Sequence, residues 1–404
     1  MTDLTKPQKQ ISIWWFAFGY FAVYIPYSFF TKVLTGGLLA KDAPDQLAAL
    51  KVNSFELLPP TIMASICIML IFISSMRWWK FATQWHLGSL SLPRPRLVTL
   101  VSGFCTGFVV VTTTLAYTID GVSIVFAMLL MRGGMLIMSP FVDKIFKRKV
   151  AWFSWAALGM SILALLISNF GPYVFGMKES SNQSLMNVAL GIDLTVYLLA
   201  YFFRLSFMSK YAKNNNENDK KRFFVEEQMV GTPSILLILF IASFFAPGVI
   251  DNPSGFDNLL NGVHAGFYDF WSRPGNVIGF AMLIGFFSQF NGVFGGLILL
   301  DKSGNAFAVP VNRCSSILAG ICASLALSIV FSTDLSGKPL MPGPFEFVGA
   351  LFVIGAILFL TLPKLIASQK AKKAAEAAAA AAVADDAPKA ETEATEATDD
   401  KAKS

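Results

Sequence analysis

The chain has 404 residues, of which 54% are hydrophobic and only 14% charged, with 38 Phe; a soluble domain of that composition lacks the polar surface to cover itself. Its formal net charge of +6 is distributed in a way that excludes a nucleic-acid-binding face. The four cysteines, Cys67, Cys105, Cys314 and Cys322, all fall inside apolar runs, which argues against a disulfide framework or metal cluster and reads as small packing residues.

Runs of about 20 apolar residues, the length that crosses a hydrocarbon core at roughly 1.5 Å per residue, recur from residue 11 to residue 363. The pattern predicts ten spans: 11–34, 55–76, 96–117, 119–142, 151–169, 186–208, 228–247, 275–300, 303–331 and 344–363. The first follows a ten-residue flank carrying Lys6 and Lys9, with no small-residue cleavage site after it, and reads as a retained helix rather than a signal peptide. Its aromatics include Trp14, Trp15, Tyr20, Tyr24 and Tyr27; they suit an interfacial belt, with Tyr27 deep enough to touch a ligand. Lys32 sits toward the outer end of this span.

Gly103 and Gly107 in the third span, and Gly292 and Gly296 in the eighth, form small-xxx-small pairs suited to close packing. Arg132 falls near the middle of the fourth span and Arg313 near the middle of the ninth. The sixth carries Asp193, with Lys210 at its inner end. The seventh opens at Glu226 and Glu227, where carboxylates favour the helix dipole. Gln289 and Asn291 interrupt the eighth in "GFFSQFNGVFGG", and Pro310, Asn312 and Ser316 accompany Arg313 in the ninth. His86 and His264 fall in predicted loops, with no metal or triad motif around them. From about residue 369 the composition turns to Ala, Lys, Glu, Asp and Thr, a tail that buries no core and is expected to be disordered.

Assigning alternate loops to alternate sides, with Arg96 at the edge of its span included and the C-terminal end counted to Lys373, places 20 Lys or Arg on the side of both termini and five, Lys41, Lys51, Lys178, Arg273 and Lys338, on the other. Basic loops stay cytoplasmic, so both termini are expected inside. Short loops and the lack of a targeting presequence point to a bacterial inner membrane.

The halves resemble one another around the two arginines: "SIVFAMLLMRGGMLIMSPF" at 123–141 and "NAFAVPVNRCSSILAGI" at 305–321. "SFFTK" at 28–32 likewise answers "SFMSK" at 206–210. Lys32 to Lys210 is 178 residues and Arg132 to Arg313 is 181, so one register relates the halves. Five crossings per unit is an odd number, so tandem units enter the membrane from opposite sides. The expected fold is all-α: ten transmembrane helices as two inverted five-helix repeats, 11–169 and 186–363, with residues 1–10 and 369–404 as cytoplasmic ends. Such repeats place a substrate site near the midplane, at the repeat interface.

An ionised Arg at membrane depth costs roughly 2.5–3.5 kcal/mol on insertion scales and must face a cavity or partner. Arg132 and Arg313 are therefore candidates to clamp an anionic substrate by forked hydrogen bonds, against the alternative of structural ion pairs with Asp120 or Asp193. Asn312, Ser316, Gln289, Asn291 and Tyr27 complete the candidate substrate site, and Lys32 and Lys210, at symmetry-related ends, are candidate gates. Asp193, Glu226 and Glu227 are the weaker candidates for ion coupling.

The ten-helix, two-repeat plan and the "WAALGMSILALLI" helix closing the first half resemble the EamA-like drug/metabolite transporter superfamily over residues 11–363. "MRGGML" and "VNRCSSILAG" are similar to the basic stretches of its sugar-phosphate and nucleotide-sugar translocator branch, a resemblance that implies phosphate-gripping roles for Arg132 and Arg313. Met135, Leu136 and Asn312 depart from that pattern, so the expectation is an anionic group on the substrate rather than obligate phosphate exchange. The reading is a secondary transporter of a small, anionic or phosphorylated metabolite, working in the lipid bilayer by alternating access, with no cofactor, no metal and no enzymatic activity, and compatible with a homodimer. Its rivals are an exporter of neutral metabolites, amino acids or drugs, and a receptor or scaffold acting through its tail.

Overall fold

A computed structural model gives the architecture and describes residues 12–41, 44–87, 90–116, 124–148, 150, 152–174, 188–213, 216–248, 254–302, 304–335, 337, 340–341, 344–345, 347–360 and 366. The predicted N-terminal flank, Asp120, Lys178 and the tail from 369 lie outside the described residues.

The chain is mostly helical. Helix α1 spans Ile13–Thr35, and the Ser12 hydroxyl accepts from the Trp14 amide at its start; a short α2 (Leu47–Leu50) lies outside the apolar run. Next come α3 (Leu58–Ser75), the strands β1 (Thr83–Leu87) and β2 (Leu90–Arg94), then α4 (Leu97–Ala116), α5 (Ile124–Ile145) and α6 (Trp152–Val174). The second half holds α7 (Val188–Tyr211), α8 (Glu217–Ser243), α9 (Gly255–Tyr268), α10 (Gly275–Leu299) and α11 (Asn305–Phe331), and then α12 (Phe347–Leu360). Apolar runs adopt helix because only internal hydrogen bonds satisfy the backbone where water is excluded.

Among the described residues, six helices, within α1, α3, α7, α8, α10 and α11, are long and apolar enough to cross a membrane. Burial agrees with lipid as the solvent: Phe18 is 63% and Ile329 84% exposed, while the carboxylates Glu226 and Glu227 are 0% and 1% exposed. Apolar side chains outside and charge inside are the arrangement a bilayer imposes. The chain is a helical, polytopic membrane protein.

The chain forms two compact units, Met1–Ala356 and Ile357–Ser404. Both predicted five-helix halves contribute to the first, because helices pack across the halves: α1 lies against α10 and α11, α7 against α4 and α5, α3 against α8 and α10, α4 against α8, and α5 against α11.

Three features depart from the predicted elements, the first of them also from the all-α expectation. β1 and β2 pair antiparallel, from Thr83 opposite Arg94 to Leu87 opposite Leu90, in place of the expected loop around His86. The signal is present in the sequence, since "TQWHLGSLSLPR" alternates on either side of a Gly-Ser dipeptide, a pattern that reads as a hairpin. The second is α9, an amphipathic helix holding His264, which starts at a capping box of Ser254 and Asp257. The third is the start of α8, eleven residues before the predicted 228, with Asn216 capping it. The charged stretch "ENDKKR" obscures this helix, which needs no apolar run once Asn216 caps it and Glu217 and Asp219 occupy its first turn.

Candidate functional site

A cavity of about 290 Å³ lies among α1, α3, α4, α7, α8, α10 and α11. Its cation is Arg313, reached where Pro310 removes a backbone donor one turn earlier in α11. Arg313 Nη2 donates to the Tyr201 hydroxyl at 3.3 Å and lies 2.6 Å from the Met135 sulfur; its Nε is buried without a partner among the described residues. No carboxylate pairs with it there. Asn291 lines the same cavity with both ends of its amide buried and unpartnered among the described residues. Asn312 adds a second buried amide, and Gln289 donates to Gln228 across α10 and α8 at 3.3 Å. Unsatisfied donors and acceptors converging on one space are what a polar ligand would satisfy.

A second arginine reaches the cavity from α7. Arg204, one turn beyond Tyr201, lines it and holds Glu227 of α8 in a forked ion pair, Nε to Oε1 at 2.9 Å and Nη2 to Oε2 at 3.2 Å. From α4, Ser102 and Thr106 donate to the same Oε1 at 2.8 and 3.2 Å. Close helix approach makes this possible: a side-chain carbon at Gly103 would stand 2.5 Å from Val230. The neighbouring Glu226 is tied outward. It accepts from the backbone and hydroxyl of Thr83 in β1, from Arg96, and from Thr99 at 2.7 Å, anchoring the hairpin to α8.

Polar ties link helices at both ends of the bundle. At one end Asp143 of α5 caps α11, accepting from the Asn305 and Ala306 amides at 3.0 and 2.7 Å, which Gly304 permits with φ +90°. Asn305 also donates to Ser209 and accepts from Lys213 at 2.6 Å, and Arg148 donates to the carbonyls of Ser209 and Lys213 at the C-terminal end of α7. Burial pushes the Lys213 ammonium down to about 7, a displacement that Asp143 opposes and Arg148 reinforces. At the other end Lys41, beyond α1, donates to the Phe331 carbonyl and to Thr333, at the C-terminus of α11.

No protein-family model and no curated protein matches the sequence. Among solved structures, one titled "Crystal structure of protein" is 12% identical, covering 86% of this chain and 98% of its own, with a TM-score of 0.45. A likeness of that size carries no argument about fold or function.

Of the predicted substrate residues, the structure brings Arg313, Asn312, Gln289 and Asn291 to one cavity. Arg132 belongs to α5, but its side chain lies outside the described residues. Ser316 turns back to donate to the Arg313 carbonyl at 2.8 Å. Tyr27 packs in the apolar cluster around Leu34 and Phe270; Tyr20, two turns deeper, lines the cavity instead. Of the candidate gates, Lys210 and Lys32 are both exposed, with Lys210 over the Tyr211 ring at 5.2 Å, positions that snorkelling to an interface explains. Asp193 is buried with both oxygens unpartnered among the described residues. Sequence reasoning passes over Arg204, although an arginine four residues inside the predicted end of a span is a visible signal. Glu227, expected as a dipole partner at a helix start, lies ten residues into α8.

Proposed function

We propose that the protein is a secondary transporter whose central cavity binds a small organic anion, with Arg313 as the principal cation and Asn291 as the orienting amide. The observation carrying this reading is Arg313: a cation lining an interhelical cavity with no carboxylate beside it among the described residues. An uncompensated guanidinium at that depth is unfavourable by several kcal/mol, and an anionic ligand removes that penalty while gaining forked hydrogen bonds. The neutral-exporter alternative, with arginines as struts, suits Arg204, which Glu227 neutralises, and leaves Arg313 unexplained.

The ten-crossing, inverted-repeat plan has independent support from packing. Exchanging α1 with α7, α3 with α8, α4 with α10 and α5 with α11 turns the α1–α10 and α1–α11 contacts into α7–α4 and α7–α5, and α3–α10 into α8–α4. The close approaches obey the same exchange. Gly103 of α4 lies against Val230 of α8, and Gly285 of α10 lies against Ala64 of α3, each leaving 2.5 Å for an added carbon. Their offset of 182 residues, 285 minus 103, matches the 181 between the arginines. The symmetric partner of Gly103 is then Gly285 rather than Gly292, which has open space around it. The basic-loop bias puts both termini in the cytoplasm.

The test is thermal stability of the purified protein in detergent against lactate, malate, glutamate, glycerol 3-phosphate, and neutral and cationic metabolites. A ligand at about 100 times its Kd stabilises the folded state by about 2.7 kcal/mol. Stabilisation by anions that disappears in Arg313→Gln supports the reading. Stabilisation by neutral or cationic compounds that survives the substitution contradicts it.

A further inference from the structure

We propose that Glu227 is the proton-carrying group of this transporter, and that anion binding at Arg204 releases it from its ion pair so that anion and proton cross together. This rests on the anion-binding reading of the same cavity. Arg204 belongs to two sites at once. It lines the cavity that Arg313 enters from α11, and its Nε and Nη2 are donated to Glu227. Tyr201 links the two cations, accepting from Arg313 one turn from Arg204 on α7. An anion bridging the two guanidiniums competes with Glu227 for the Arg204 fork.

The groups around Glu227 determine its fate once the fork is lost. From α7 it faces Arg204; from α4 it faces the hydroxyls of Ser102 and Thr106 and the thiol of Cys105. On α8 its neighbour Glu226 is engaged by Arg96, Thr83 and Thr99, and Arg96 is bonded to Glu226 rather than to Glu227. Arg204 is thus the sole cation in ion-pair contact with Glu227 among the described residues. A carboxylate 1% exposed that loses its one counter-charge takes up a proton rather than remain ionised in a dry site. Thr106, which touches Glu227 and lines the cavity, offers the proton its way in from cavity water. The charge balances: the anion neutralises Arg204, the proton neutralises Glu227, and both leave when the fork re-forms.

The experiment is proton uptake by the full-length protein in weakly buffered detergent containing phenol red, on addition of lactate, malate, glutamate or glycerol 3-phosphate. It is run at about pH 8, well above the carboxyl pKa values of lactate, malate and the glutamate side chain and above the second phosphate pKa, about 6, of glycerol 3-phosphate. Thermal stabilisation is read on the same samples. The expected result is a stabilising anion that brings close to one proton per bound molecule, and an affinity that strengthens as pH falls. Glu227→Gln, which keeps a side chain able to meet Ser102 and Thr106, is expected to bind the same anion with no uptake and no pH dependence. Should that variant fail to fold, Asp193→Asn, at the other buried carboxylate considered for coupling, decides the assignment: uptake that survives it keeps Glu227 as the carrier, and uptake lost with it overturns the assignment. Stabilisation without proton uptake overturns the coupling and leaves the anion site standing; no stabilisation by any of the four anions overturns both.

Discussion

Arg313 is legible in the sequence as a functional residue because a charge at membrane depth demands a reason. Arg204 is not, and Glu227 only as a weaker candidate for ion coupling, because each sits near the edge of an apolar run, where a charge has a simpler explanation in the interface or the helix dipole. The structure shows them paired and buried, and such a pair is costlier to break than to remove. Arg204→Met alone is therefore expected to destabilise the protein by about 3–5 kcal/mol, by leaving Glu227 buried and uncompensated. Arg204→Met with Glu227→Met recovers most of that loss in detergent unfolding measurements; equal losses for the single and double variants would show that the pair is not held as described. A second expectation concerns Lys213. Its folded-state value, about 7 against an ordinary 10.5, lies below the unfolded one, so between those values the unfolded chain binds more protons and stability rises with pH. The thermal midpoint of the unmodified protein is expected to climb between about pH 7 and pH 9 more steeply than that of Lys213→Met, which cannot titrate. Parallel slopes would contradict the burial assigned to that ammonium.

At the scale of elements, apolar length locates helices well, since lipid leaves the backbone no alternative to helix, and among the described residues six of them are long and apolar enough to cross a membrane. Elements outside the hydrocarbon are harder to read. The β1–β2 hairpin, α9 and the first three turns of α8 are built from polar or mixed sequence, and their signals are caps and turns rather than hydropathy. The glycines show the same gap. Spacing alone pairs Gly103 and Gly107 with Gly292 and Gly296, whereas the backbone requires small residues at Gly103 and Gly285, where α4 meets α8 and α10 meets α3. Gly103→Val and Gly285→Val are each expected to lower stability, by about 1–3 kcal/mol or more from overpacking. Gly292→Ala, with open space around it, is expected to change stability little in the same unfolding measurement. A large loss at Gly292 would undermine the packing described.

For the whole molecule, helices are tied at the two ends by cations donating to carbonyls at helix C-termini: Arg148 to the end of α7, and Lys41 to the end of α11. Under the proposed exchange of the halves, the helices of the α5–α7 tie map onto those of the α11–α1 tie, with donor and acceptor helices interchanged, and on the transporter reading the pair suits two gates that open in alternation. With a cysteine placed at Gly292 in a cysteine-free background, Lys41→Gln is expected to raise labelling by a membrane-impermeant maleimide from the side of Lys41. Arg148→Gln is expected to raise it from the opposite side; an increase from the same side in both would remove the alternating-gate account.

The most direct test of the central claim is transport itself. Proteoliposomes preloaded with whichever of lactate, malate, glutamate or glycerol 3-phosphate stabilises the protein most are diluted into the same compound at trace radiolabelled concentration, and counterflow is measured over time. The account predicts transient accumulation with the unmodified protein and none above protein-free vesicles with Arg313→Gln. Binding without counterflow in the unmodified protein, or counterflow undiminished in Arg313→Gln, would contradict it.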